Sequence, residues 1–70
     1  MKTVIISDIY PGAEFRQDGS TNTLVVDSIK EEGVFFYTID DETKTHSQTM
    51  DESFETFIYV LNVAGYHKIN

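Results

Sequence analysis

The run TLVVDSIKEEGVFFYTI, residues 23–39, restricts the possible folds more than any other part of the chain. It holds two β-rich segments, residues 24–29 and 34–39, separated by Lys30, Glu31, Glu32 and Gly33. β-Branched and aromatic side chains suit a pleated, half-buried surface, and a glycine at the end of a short loop supplies the positive φ that closes a hairpin. The stretch therefore reads as a central antiparallel hairpin. Side chains alternate across a strand, so if Phe36 points inward, Phe35 and Tyr37 point out.

Around this hairpin there is room for one domain, residues 1–70. A chain of that size buries only about 60% of its unfolded surface, so nearly every apolar residue is needed in the core. Apolar residues make up 40% of the chain and include five Phe and four Tyr, which is enough for one core. Cysteine is absent, so neither a disulfide nor a thiolate metal site supports the fold. The opening MKTVIISDIY has a short apolar run, Val4, Ile5 and Ile6, that Asp8 interrupts. It is too short for a signal peptide or membrane span, and it predicts a first strand over residues 2–7 in a cytoplasmic protein.

Pro11 and Gly12 mark a tight turn, and residues 13–17 form a second short strand with Phe15 inward. Residues 18–22, DGSTN, are a loop by composition. After the hairpin, Asp40, Asp41 and Glu42 read as a loop tip, because adjacent carboxylates repel and stay solvated. The polar, Thr-rich residues 43–49 suit an edge strand, with Lys44 discouraging edge-to-edge pairing. The last third carries two signals. Met50, Phe54, Phe57, Ile58 and Leu61 follow helical spacing, and Thr49 to Glu52 matches a capping box, yet residues 57–63 are as β-favouring as the hairpin. These signals together predict one short helical turn near residues 51–57 and a closing strand over 58–63, ended by Ala64 and Gly65. Residues 66–70 are either a short tail strand or frayed.

The resulting order is that of an all-β, five-stranded antiparallel barrel with one helical turn. The residues that carry a resemblance are the opening Ile9, Tyr10, Pro11, Gly12, Ala13, Glu14 and Phe15, the VVDSI and GVFFY strands, and the spacing of Met50, Phe54 and Phe57. In these the chain resembles small SH3-like barrel proteins of bacteria and their phages. The resemblance implies a fold and a compartment and carries over no catalytic residues.

Nothing in the sequence has the spacing of an enzyme site. His46 and His67 stand in no metal-ligand motif, and Asp40, Asp41 and Glu42 lack the glycine and alternating oxygens of a calcium loop. No G-x-S-x-G elbow surrounds Ser28 or Ser53, and no glycine-rich loop leads into Lys-Ser/Thr. Asp27, in mid-strand, reads as an outward residue. The expectation is a non-catalytic protein without cofactor or metal.

Charge is more informative. Twelve Asp and Glu against five Lys and Arg give a net charge of −7. A field of that sign opposes direct binding to nucleic acid, which needs Lys and Arg to displace counterions. It attracts a basic protein surface, including one that normally holds nucleic acid; solubility alone is the plainer account. In this reading Glu31, Glu32, Asp40, Asp41, Glu42, Asp51 and Glu52 attract the partner. Phe35, Tyr37 and Tyr59 supply affinity, because a barrel this small cannot enclose nine aromatic rings. Tyr10 and Tyr66 are further expected exposed aromatics. The function expected is thus an acidic protein-binding module, of the kind a phage uses to inhibit a host defence nuclease or another nucleic-acid enzyme. The alternative is a self-associating structural or adaptor module, a homodimer held through Phe35, Tyr37 or the edge over residues 43–49. A third reading, a small enzyme or metal protein, rests only on His46 near the acidic triplet.

Overall fold

The computed structural model describes residues 3–70. Its centre is the expected hairpin, β2 (Asn22–Lys30) and β3 (Gly33–Asp40), turned by Glu31 and Glu32. Before it comes β1 (Glu14–Gln17), and after it β4 (Met50–Glu52), helix α1 (Phe54–Val63) and β5 (Tyr66–Lys68). The five strands form one antiparallel sheet in the order β4-β3-β2-β1-β5. The protein is thus mostly β, with one short helix packed on the sheet.

Alternation along the strands separates two faces. Phe15 of β1, Leu24 and Val26 of β2, and Val34 of β3 point to the face that α1 covers, where Val4, Ile9, Phe57 and Leu61 complete the core. Phe36 lies on this face as expected, its ring 4.9 Å from that of Phe57. The opposite face carries Arg16, Thr23, Val25, Phe35 and Tyr37. A β-bulge between Val26 and Ser28 leaves Asp27 exposed and without a cross-strand partner. The extra residue returns Ile29 to the core side, opposite Val34.

The Pro11-Gly12 turn forms as expected. The Ala13 amide donates to the Tyr10 carbonyl at 2.9 Å, and Gly12 takes the φ of +93° that this turn requires. Three other expectations need correction. Residues 3–7 are not a strand; Ile6–Asp8 is a 3₁₀ turn, and Lys2 lies outside the described residues. The Asp8 carboxylate accepts from the Ile5 amide at 3.0 Å, a local bond that competes with a ladder. Residues 43–49 are not the edge strand. Lys44 is left-handed at φ +61°, the Thr43 hydroxyl accepts from the Thr45 amide, the Ser47 hydroxyl accepts from the Thr38 amide of β3, and only His46 forms a bridge, to Ile39. The edge is β4, which begins directly after the Thr-rich stretch ends.

The third correction concerns the last third. Residues 58–63 are helix, and residues 50–52 are strand, so the Thr49–Glu52 capping box does not form. Ser53 caps the helix instead, its hydroxyl accepting from the Thr56 amide at 3.3 Å. A strand would place Phe57 and Ile58 on opposite faces. The helix puts Phe54, Phe57, Ile58 and Leu61 on one side, all against the core, and that packing outweighs the β preference of the individual residues. Ala64 and Gly65 end this helix rather than a strand, and Tyr66 packs on the core instead of standing exposed.

Candidate functional site

The turn of the central hairpin defines one end of the sheet, and this end is acidic. Glu31 and Glu32 project from the turn, both exposed. Gly33 follows at φ +140°, and a Cβ at this position would lie 2.2 Å from the carbonyl oxygen of Glu52. Only a glycine lets β4 approach so closely. The register that results pairs Val34 with Glu52 and Phe35 with Asp51. Asp51 and Glu52 therefore sit beside a turn some twenty residues earlier in the chain. Asp27 joins them from the bulge, one strand further across, a separation of about 10 Å. Lys30 is the cation of this end, and its Nζ lies 4.9 Å from the centre of the Phe35 ring.

Asp40, Asp41 and Glu42 lie at the other end of β3, about 25 Å away at the rise of a strand. They are not the solvated trio expected from sequence. Asp41 is half-buried and forms an ion pair with Arg16, while its second oxygen accepts from the Thr23 hydroxyl at 3.0 Å. Arg16 also donates to Thr23 Oγ1 at 2.8 Å, so the three side chains bind strands β1 and β2 to the end of β3. Asp40 accepts from the amides of Glu42 at 2.9 Å and Thr43 at 3.1 Å. These donors, Thr43 first, hold its pKa below the ordinary carboxylate value. Both residues thus have structural partners, and Glu42 is the member of the triplet that stands exposed.

The expected aromatics do not converge. Phe35 belongs to the acidic end. Tyr37 lies on the same face of the sheet, stacked on His46 with ring centres 5.1 Å apart and planes 11° apart. Tyr59 lies in the other layer, on the solvent side of α1, and is 68% exposed. Tyr10 is exposed at the Pro-Gly turn with Lys68 Nζ 5.0 Å from its ring centre.

Several features escaped the sequence reading. Val60 and Val63 are exposed on α1 beside Tyr59, and Ile5 and Ile6 are exposed at the start of the 3₁₀ turn. The signal was available: read as one helix, FETFIYVLNV is apolar on more than the face a single sheet can cover. An apolar cleft of about 280 Å³ also lies between α1 and the sheet, lined by Leu24, Phe36, Met50, Phe57 and Tyr66 among others. Among the described residues, no three His, Asp or Glu side chains converge as a metal site would require, and no helix is long and apolar enough to cross a membrane.

No family model, curated protein or solved structure matches the chain.

Proposed function

We propose that this chain is a non-catalytic, acidic protein-binding module that docks on a basic protein surface, with the hairpin end of the sheet as the docking edge. The observation that carries this reading is that Glu31 and Glu32 of the hairpin turn and Asp51 and Glu52 of β4, two pairs distant in sequence, meet at one end of the sheet, with Asp51 paired beside Phe35 on the outer face and Glu52 beside Val34 on the helix side. Carboxylates held by a tight hairpin turn and a paired strand lose less freedom on binding than carboxylates on a long loop, so their attraction for Lys and Arg is better preserved in the complex. The half-buried Phe35 supplies apolar contact area next to them.

The basic surfaces that best match a row of carboxylates are those that hold nucleic acid. The module accordingly acts as an inhibitor, of the kind phages carry, that occupies the positive groove of a host nucleic-acid enzyme in the cytoplasm. Its fold in this proposal is the SH3-like arrangement. Four strands form a meander, the fifth returns to pair with β1, and the bulge at Asp27 gives the long β2 its bend.

The test is affinity capture from host lysate at stepped salt, with bound proteins identified by mass. It is repeated with the Glu31→Lys, Asp51→Lys double variant. The expected result is a basic nucleic-acid enzyme that elutes as salt rises and is not retained by the variant. Retention that ignores both salt and charge reversal, or recovery of the bait alone, would overturn the proposal; the second result favours the self-associating alternative.

A further inference from the structure

The outward face of α1 is apolar and exposed, and it differs in chemistry from the acidic end. A helix that is apolar on all sides is normally covered on all sides. On α1 only Phe54, Phe57, Ile58 and Leu61 meet the core, while Tyr59 and Val63 are each 68% exposed. Glu55, Ile58, Tyr59, Asn62 and Val63 line a shallow groove along this face. At its C-terminal end the Asn62 amide clamps the first described segment, accepting from the Val4 amide at 2.8 Å and donating to the Val4 carbonyl at 3.0 Å. The clamp brings Ile5 and Ile6, 55% and 66% exposed, past the last turn of the helix. Apolar surface thus continues from the helix onto the chain before it.

The charges around this surface determine what can cover it. Helix α1 contains no Lys or Arg, and its one charged residue is Glu55, in the groove. β4 ends with Glu52 just before the helix cap, so carboxylates run from the acidic end to the start of the groove. Asp8 stands beside the exposed isoleucines. A second copy would bring the same acidic rim and another −7 to the interface. An anionic lipid surface is repelled for the same reason.

We infer that the groove takes an amphipathic, basic segment of a partner protein. Its apolar residues lie over Ile58, Tyr59 and Val63, and its Lys or Arg residues reach Glu55 and Glu52. This rests on the docking function proposed above and adds a second contact to it. The acidic end steers the partner, and the groove holds it.

A pair of helical peptides with one apolar pattern, one built of Leu and Lys and the other of Leu and Glu, tests the inference. Binding is followed by backbone amide, methyl and aromatic NMR shifts of the intact protein. The Leu/Lys peptide is expected to move the signals of Ile58, Tyr59, Val63 and Ile5, and the Leu/Glu peptide to move none. Val63→Lys, at an exposed position that leaves the core untouched, is expected to weaken binding about tenfold or more, as loss of an interface anchor does. Its circular dichroism should match that of the parent. Shifts confined to Glu31, Glu32 and Asp51 would overturn the groove while leaving the acidic docking edge standing. Equal binding of both peptides, or of neither, would overturn the inference, as would a dimer in sedimentation that Val63→Lys dissociates, since that assigns the groove to a second copy.

Discussion

Replacing Gly33 by alanine tests how the acidic end is assembled. The new Cβ would lie 2.2 Å from the Glu52 carbonyl oxygen and 2.9 Å from its carbon, both backbone atoms that no side-chain rotation can move. The backbone at φ +140° already costs a non-glycine residue about 1–3 kcal/mol. Relieving the contact requires β4 to leave its three-pair ladder with Val34, Phe35 and Phe36, at roughly 0.5–1.5 kcal/mol net for each hydrogen bond lost. For about two bonds lost the sum is about 2–6 kcal/mol, against a stability of about 4–10 kcal/mol for a domain of this length. Gly12→Ala is the control. Its φ is +93° but nothing lies within 4 Å of the added Cβ, so only the backbone cost of about 1–2 kcal/mol applies. Urea denaturation followed by circular dichroism should show a clearly larger loss for Gly33→Ala. Amide exchange at residues 50–52 should lose its protection in that variant alone. Equal losses in the two variants, with β4 still protected, would refute the claim that close packing on a glycine positions Asp51 and Glu52.

Two neighbouring carboxylates should behave differently on truncation. Asp41→Ala leaves Arg16 half-buried without its counter-charge and should cost about 1 kcal/mol, a modest value because both partners remain partly solvated, whereas Glu42→Ala should stay within about 0.5 kcal/mol in the same melts. Asp40 has a folded-state pKa below its unfolded value, so its contribution is complete above the unfolded pKa and is lost as pH falls through the folded one. The amides of Glu42 and Thr43 should therefore show a titration in acid, below about pH 4, that Asp40→Asn abolishes. A titration that persists in the variant would assign the effect to another group.

The elements legible in the sequence are those whose determinants lie within a few residues. Alternation over residues 24–29 and 34–39 is strong enough to indicate the hairpin, and Gly33 marks its turn. Pro11 and Gly12 specify their turn by backbone preference alone, and Phe15 is the inward residue of β1. The opening residues are not legible as a 3₁₀ turn, because Val4 and Ile9 are buried singly and the local Asp8 bond competes with a strand between them. The net charge of −7 and the lack of cysteine also needed no structure.

Tertiary structure decided the rest. Whether residues 57–63 become strand or helix depends on what they face. With Phe36 and the core waiting on one side, only the helical spacing places Phe57, Ile58 and Leu61 there together, since a strand would turn Ile58 away. The acidic residues were visible in the sequence, but their grouping was not. The adjacent trio Asp40, Asp41 and Glu42 is divided between structural bonds and solvent, because Arg16 and Thr23 arrive from strands far away in sequence. The distant pairs Glu31, Glu32 and Asp51, Glu52 are brought together by the β3–β4 register. Charge and turn preference belong to single residues and their neighbours, so sequence alone determines them. Which charges stand side by side is set by strand register, which forms only when the sheet packs on its core.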